Sequence, residues 1–211
     1  MLRIKGGRVY DPKNGWNGEI RDICIKDGKI VEDLPAAEEV IDATGLVVMA
    51  GGVDIHAHIA GPKVNTGRVI CPEDHRRDPV PRTARTRSGS GFTTPSTFVT
   101  GYRYAQMGYT SVFEAAMPPL EARHVHEELA DTPILDKGAL VLVGNNHFVL
   151  SFIREGDRER LKDYLLWVVE ASGAYGLKVV NPGGGANWRR HSNVRGLDDA
   201  VIDYGVTPRQ I

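Results

Sequence analysis

The fold of this chain is decided by the stretch Val48-Met49-Ala50-Gly51-Gly52-Val53-Asp54-Ile55-His56-Ala57-His58. It begins inside an apolar run, Leu46 to Val53, and ends in two histidines separated by one residue. A run that is apolar on both faces is typical of a strand buried between two layers, as in a parallel sheet or a barrel. Because side chains two residues apart in a strand lie on the same face, we expect His56 and His58 to bind one cation. For an isolated pair, the alternative is two hydrogen-bonded polar histidines at the end of a strand.

Three more apolar strands follow, and a segment with helical character precedes each of them. The strands are predicted at Thr110–Ala116, Ala139–Gly144 and Gly176–Val180, and the helices at Ser96–Met107, Leu120–Leu129 and Asp157–Ser172. Alternation of strands and helices is typical of a parallel β/α sheet. We therefore predict an α/β fold in which residues 46–211 form the N-terminal portion of a (β/α)8 barrel.

The first 45 residues have a different pattern, in which short strands alternate with turns. Strands are predicted at Leu2–Tyr10, Asp22–Lys26, Lys29–Val31 and Glu39–Asp42. Asp27-Gly28 is a strong hairpin signal, because the tight turn needs residues that accept positive φ. Residues 1–45 are therefore predicted to form part of a small β domain.

Composition gives no support for a nucleic-acid-binding or membrane protein. The chain has 211 residues and a formal net charge of -1, which gives no general reason to expect nucleic acid or an acidic membrane surface as a partner. No apolar stretch approaches the roughly 18 to 20 residues of a membrane span. Two cysteines, Cys24 and Cys71, form no C-x-x-C motif. A cytoplasmic location is expected.

The segment from Gly61 to Gly91 fits neither helical nor strand periodicity and is rich in basic residues. An insertion after the first barrel strand is expected to lie above the mouth of the barrel, where loops carry function. The alternative is a solvated loop.

The remaining histidines are weaker candidates for metal ligands. His124 and His126 fall in a predicted helix, where residues two apart point in different directions. His147 and His191 stand alone in the sequence, and a lone histidine is usually not a ligand.

Longer motifs give the chain a family resemblance. The stretch Ile41 to His58 resembles the start of the barrel in amidohydrolase-superfamily enzymes, in which a split β-sandwich surrounds a metal-bearing barrel. More closely, Ala60 to Arg68, Pro95 to Tyr109 and Glu114 to Pro119 resemble the amidohydrolase-type subunit of formylmethanofuran dehydrogenases. The resemblance implies that residues 1–45 are part of the β-sandwich and that the barrel belongs to a metal-dependent hydrolase.

The resemblance also implies a binuclear zinc site. In that family a carboxylated lysine on the fourth barrel strand bridges two Zn²⁺ ions, and Lys178 lies on the fourth strand of our count. A lysine in apolar surroundings is pushed towards its neutral form, which can add carbon dioxide to give a carbamate. The predicted ligands are therefore His56, His58 and Lys178. The alternative is that Lys178 extends to solvent at the rim of the barrel.

The chain holds only part of what the family needs. The remaining histidine ligands and the aspartate that handles the proton are expected beyond Ile211, so the catalytic and substrate-binding residues stay unknown. A complete barrel needs about 250 residues, and Thr207-Pro208 predicts a helix start close to the last residue. We therefore expect the chain to be truncated or split, inactive alone, and dependent on another chain for the rest of the barrel.

The implied function is the interconversion of formate plus methanofuran with N-formylmethanofuran. A partner subunit with tungsten or molybdenum pterin and iron–sulfur clusters would interconvert carbon dioxide and formate. Arginines of the basic segment would pair with carboxylates of the methanofuran tail. Two alternatives remain: a component of a formyltransferase/hydrolase complex that releases formate, and a non-catalytic assembly subunit.

Overall fold

A computed structural model describes residues 1–70, 97–180, 196–201 and 203–211, together with the backbone of 76–77 and 92–93. It divides into two compact units, Met1–Gly51 and Gly52–Ile211. The predicted domain boundary lies between residues 45 and 46 and stays a prediction. None of the helices in the described residues is long and apolar enough to cross a membrane.

The first unit is a mixed five-stranded sheet. Its strands are β1 (Leu2–Asp11), β2 (Trp16–Lys26), β3 (Lys29–Val31), β4 (Glu39–Asp42) and β5 (Val47–Met49). β1 pairs with β2 antiparallel and with β4 and β5 parallel. The predicted hairpin between β2 and β3 is confirmed, since Asp27 and Gly28 have φ values of 51° and 73°. Val9, Ile23, Cys24, Leu34 and Ala43 are buried in this unit.

The predicted strand from Leu46 to Val53 is wrong, because two strands occupy this run. β5 belongs to the first sheet, and β6 (Gly52–Ala57) begins the second sheet after a break at Ala50-Gly51. A continuous apolar run cannot show where a strand leaves one sheet and enters another, because both environments favour the same residue types. β6 is also not buried on both faces, since Val53 and Ile55 are 58% and 68% exposed.

The second unit is built on a parallel sheet whose strands follow the order of the chain. It contains β6, β9 (Tyr109–Met117), β10 (Asp136–Leu142) and β11 (Gly176–Lys178), with neighbours in that order. The helices are α1 (Pro62–Ile70), α2 (Thr97–Gln106), α3 (Ala122–Asp131), α4 (His147–Glu155) and α5 (Arg158–Ala171). Between α1 and α2, β7 (Arg76–Arg77) pairs with β8 (Phe92–Thr93). The predicted α/β fold is confirmed, as are the three later strands to within a few residues.

Helices cover one face of this sheet. Ala139, Val141 and Val143 alternate along and just beyond β10, are at most 2% exposed, and pack in one cluster with Val125 of α3 and Val168 of α5. Leu142 is the register partner of Lys178, so both side chains lie on the opposite face of the sheet.

The opposite face is the inside of a curled sheet. In a flat sheet, three spacings of about 4.8 Å would keep the outer strands about 14 Å apart, with their side chains roughly perpendicular to the sheet. Yet Lys178 Nζ on β11 lies only 3.3 Å from His56 Nδ1 on β6, at the other edge. The sheet therefore curves towards closure, as in the early part of a barrel.

The structure contains two helices that were not predicted, α1 and α4, and it lacks the helix start predicted at Thr207-Pro208. α1 occupies the start of the segment that fits no period, and it buries no residue, which explains the missing apolar pattern. α4 was not predicted. At Thr207-Pro208 the structure has a turn in place of the predicted helix start, although Gln210 Oε1 accepts from Thr207 N at 2.8 Å, as in a capping box.

Candidate metal centre

His56 lies in a bulge of β6. Asp54 pairs with Val112, and the next pair along is Ala57 with Glu114, so β6 uses one residue more than β9 over this stretch. A bulge removes a backbone N–H from the ladder. Here Asp54 Oδ1 accepts the His56 N–H at 3.0 Å, and the local backbone of the histidine is therefore held by the side chain two residues before it.

The second oxygen of Asp54 is held by a tyrosine. Tyr104 of α2 donates its hydroxyl to Asp54 Oδ2 at 3.1 Å, and its ring packs edge-on against Tyr109. Burial, followed by the hydrogen bond to Asp54, raises the pKa of Tyr104 to about 12. The tyrosine therefore remains a hydroxyl donor to Asp54 at neutral pH.

His58 follows the last residue of β6, and a buried carboxylate sets its ring position. Glu114 of β9 is 1% exposed, and its Oε1 lies 3.1 Å from His58 Nδ1. The same oxygen accepts the Ala116 N–H at 2.9 Å, within a bulge of β9 opposite β10. The other oxygen accepts the N–H groups of Ile59 at 2.8 Å and Ala60 at 3.1 Å.

The turn that follows His58 is held by a second acidic residue. Glu128 of α3 accepts the Gly61 N–H and lies 3.6 Å from Arg68 of α1. Gly61 has φ +79°, and a Cβ there would lie 2.8 Å from Val125 Cγ2. This position therefore requires glycine for both its backbone conformation and its packing.

Lys178 ends β11 and meets His56 across the inside of the sheet, at the Nζ to Nδ1 distance of 3.3 Å. The rings of His56 and His58 are 5.8 Å apart between centroids and nearly perpendicular, at 81°. The structure thus brings together the three residues predicted from the sequence. Their binding of metal stays a prediction.

The donor set fits zinc in chemical type. A carboxylate only accepts hydrogen bonds, so Glu114 makes Nδ1 the protonated nitrogen of His58 and leaves Nε2 as the basic one. A metal-bound histidine usually donates its other N–H to a carboxylate or a carbonyl in this way. Within the described residues no group of three or more His, Cys, Asp and Glu side chains could hold a metal ion. Lysine, however, is not one of those residue types, and a carbamate on Lys178 would supply the missing oxygens.

The other histidines that the structure describes have hydrogen-bond partners outside this centre. His124 Nε2 lies 3.3 Å from Asn65 Nδ2, and His126 Nε2 lies 2.8 Å from the Ser172 carbonyl oxygen. His147 Nδ1 lies 2.8 Å from the hydroxyl of Tyr204. That these three histidines bind no metal stays a prediction, and His75 and His191 lie outside the described residues.

The basic segment is described only in part. Arg68 is 14% exposed in its side chain and donates to Asn65 Oδ1 at 2.8 Å, beside Glu128. Arg68 is therefore engaged within the protein and does not present an exposed charge to a carboxylate ligand. The side chains of Arg76, Arg77, Arg82, Arg85 and Arg87 lie outside the described residues.

Sequence reasoning missed the residues that support the histidines. Glu114 stands as a single charged residue in the otherwise uncharged strand Tyr109–Met117, and such a residue is a signal of a buried polar contact. Asp54 lies within the segment 48–58 that was used to predict the metal ligands. Tyr104 gives no such signal, because a tyrosine in an amphipathic helix is ordinary.

Comparison with known proteins agrees with this architecture. Residues 39–211 match the amidohydrolase family. The chain is 52% identical over 208 residues to Protein FwdA of Methanocaldococcus jannaschii, covering 99% of the chain and 36% of the relative. It is 37% identical over 213 residues to one component of the formyltransferase/hydrolase complex Fhc of Methylorubrum extorquens, covering 100% of the chain and 38% of the relative.

A solved structure is also similar. The crystal structure of the formyltransferase/hydrolase complex FhcABCD of Methylorubrum extorquens with methylofuran matches with a TM-score of 0.84 and 36% identity. The match covers 99% of this chain and 38% of that one. The chain thus spans less than two fifths of these relatives, and it matches them over essentially all of its own length. By the match over residues 39–211, this chain belongs to the amidohydrolase family.

Proposed function

We propose that the chain carries one wall of a binuclear zinc centre in an amidohydrolase subunit that interconverts formate plus methanofuran with N-formylmethanofuran. The observation that carries the proposal is the approach of Lys178 Nζ to His56 Nδ1, at 3.3 Å, from the two outer strands of the curled sheet. The substrate class is supported by the similarity to FwdA and by the methylofuran bound in the FhcABCD structure.

Each residue has a separate task in this proposal. A carbamate on Lys178, formed with carbon dioxide by gain of an N–C bond and loss of one proton, would supply oxygen ligands for zinc. His56 and His58 supply nitrogen ligands. Zinc held by these residues would supply Lewis-acid activation of water and of the formyl carbonyl. Asp54 and Glu114 hold the histidines in place through the contacts described above.

The rest of the assembly is part of the proposal. Since the chain spans 36% to 38% of its relatives, further barrel strands, the remaining ligands and the proton-handling aspartate would come from outside residues 1–211. Other subunits of a formylmethanofuran dehydrogenase complex would then interconvert carbon dioxide and formate at a tungsten or molybdenum pterin with iron–sulfur clusters.

A second candidate is a formyltransferase/hydrolase complex that only releases formate. The TM-score of 0.84 to the FhcABCD structure favours it, whereas the 52% identity to FwdA favours the first. The two differ in redox chemistry. A purified complex that forms N-formylmethanofuran from carbon dioxide and a reductant supports the dehydrogenase, and one that releases formate but never consumes carbon dioxide supports the alternative.

Lys178→Ala in the complete complex tests the zinc centre. We expect loss of bound zinc and of N-formylmethanofuran hydrolysis, with partial recovery of both in millimolar acetate, because a small carboxylate can occupy the space left by the carbamate. Lys29→Ala is the matched control, since Lys29 is an exposed lysine of β3 in the first unit. A metal-free wild-type complex that still hydrolyses N-formylmethanofuran would contradict the proposal, because the activity would then not require a metal. A complex with neither zinc nor hydrolysis would indicate a non-catalytic assembly subunit.

A further inference from the structure

Glu114 is a buried carboxylate of β9 that makes most of its hydrogen bonds with residues outside β9. The bulge of β9 needs one acceptor, for the Ala116 N–H. The remaining contacts all go to the segment after β6: the His58 ring and the N–H groups of Ile59 and Ala60. Burying a carboxylate costs free energy unless it is well hydrogen-bonded, so the contacts with this segment offset that cost.

These contacts control two properties of His58 at once. Because Glu114 can only accept, it selects the tautomer with the proton on Nδ1, and the basic Nε2 is then the atom for a metal. Through Ile59 and Ala60 it also holds the backbone directly after the histidine. Rotation of the imidazole or a shift of the turn would break at least one of these bonds.

We propose that Glu114 is the positioning residue of His58, which it holds as an Nε2 metal ligand through the tautomer and the following backbone. The inference rests on the proposed function, in which His58 binds zinc. Glu114 itself does not touch the metal or the substrate in this proposal.

Glu114→Gln in the complete complex tests the role with metal affinity as the readout. Glutamine has the same size, but its amide can either donate to Nδ1, which reverses the tautomer, or face Ile59 and Ala60, which loses their acceptor. We expect the zinc affinity, measured by competition with a chromophoric chelator, to fall about 10- to 100-fold.

Glu128→Gln is the matched control. It changes a carboxylate that accepts a backbone N–H of the same turn, from Gly61, but that has no contact with His58. We expect a much smaller change in zinc affinity. An equal loss in Glu114→Gln and Glu128→Gln would overturn the proposal, because turn geometry alone would then explain both.

A double-mutant cycle separates positioning from a general structural role. In a His58→Ala background, Glu114→Gln should cause no further loss of zinc affinity, because the residue through which Glu114 acts is gone. A further loss as large as in the wild-type background would overturn the proposal. If Glu114→Gln does not fold, Glu114→Asp replaces it in the cycle, since aspartate keeps the charge but is too short to hold the ring and the backbone together.

The wild-type complex is measured first, so that two failures can be told apart. Absence of zinc there would overturn the proposed function together with this inference. Zinc bound as tightly by Glu114→Gln as by the wild type would overturn the inference alone.

Discussion

At the scale of single residues, the same device occurs in two neighbouring strands. Asp54 in β6 and Glu114 in β9 each accept the backbone N–H two residues further on, where the ladder is interrupted by a bulge. The second carboxylate oxygen of each residue accepts from a group outside its own strand. That of Asp54 accepts from the Tyr104 hydroxyl, and that of Glu114 accepts from the Ile59 N–H in the turn after β6. The positions of His56 and His58 therefore depend on acidic residues that the motif H-x-H does not contain.

Tyr104→Phe tests the hydrogen bond to Asp54 through the pH dependence of stability. The pKa of Tyr104 is raised to about 12 in the folded protein, above its usual value of about 10. Its contribution is thus fully present below about pH 10 and is lost as pH rises towards 12. Denaturant unfolding between pH 8 and 12 should show a steeper loss of stability in the wild type than in Tyr104→Phe, which should itself be less stable at pH 8. Parallel pH profiles for the two proteins would contradict this.

Gly61→Ala is expected to destabilise the turn after His58. The substitution forces a side chain into φ +79° and places its Cβ 2.8 Å from Val125 Cγ2 in the core. The two effects should lower the free energy of unfolding by about 2 to 4 kcal/mol. The control is Gly156→Ala, where φ is +70° and nothing lies within 4 Å of the added Cβ, so that only the backbone cost remains. Equal losses at the two glycines would show that contact with Val125 is unimportant.

At the scale of elements, the three helices predicted from the sequence, α2, α3 and α5, are confirmed to within two residues, but α1 and α4 were missed. β9, β10 and β11 were recognised because each lies in a short, mostly apolar segment between helical segments. α1 was missed because it buries no residue and therefore has no apolar stripe, although Gly61-Pro62 is a typical start with proline at the first helical position. α4 was missed although Asn146 precedes it and Gly156 follows it, which are ordinary signals of a helix start and end.

The sequence predicted the candidate metal ligands, which local patterns and strand order indicate, but it did not predict the residues that support them. His56 and His58 lie in one short motif, and counting strands was enough to select Lys178. The supporting contacts are of long range, since His58 and Glu114 are 56 positions apart in the sequence and Asp54 and Tyr104 are 50 apart. Such pairs depend on strand register, which a one-residue bulge alters and which no local pattern encodes.

Asn146→Ala tests the start of α4. The Asn146 side chain accepts the N–H groups of Phe148 at 3.0 Å and Val149 at 3.3 Å, and α4 buries Val149 and Leu150. Loss of this cap should lower the free energy of unfolding by about 1 kcal/mol. Asn145→Ala, at an exposed neighbour, serves as the control in chemical denaturation. A cap effect is ruled out if the two variants unfold at the same denaturant concentration.

At the scale of the whole molecule, the candidate centre joins the two edges of an open sheet. β6 and β11 are separated by β9 and β10, and His56 approaches Lys178 across the inside of the sheet. A metal bound there would connect two strands that do not pair with each other in this sheet. Metal affinity and the curvature of the sheet should therefore be coupled, because ligand binding to the folded state stabilises it.

Removal of zinc should consequently loosen β6 and β11. Zinc at a free concentration 100 times its dissociation constant is expected to add about 2.7 kcal/mol to the stability of the second unit. Hydrogen exchange measured by mass spectrometry on the complete complex, before and after chelation, should show faster exchange in peptides from β6 and β11. Peptides from β1 and β2 provide an internal control, because these strands belong to the first compact unit. His56→Ala should exchange at the chelated rate with or without zinc. If chelation accelerates β1 and β11 equally, the metal stabilises the protein as a whole and does not act by joining the two outer strands.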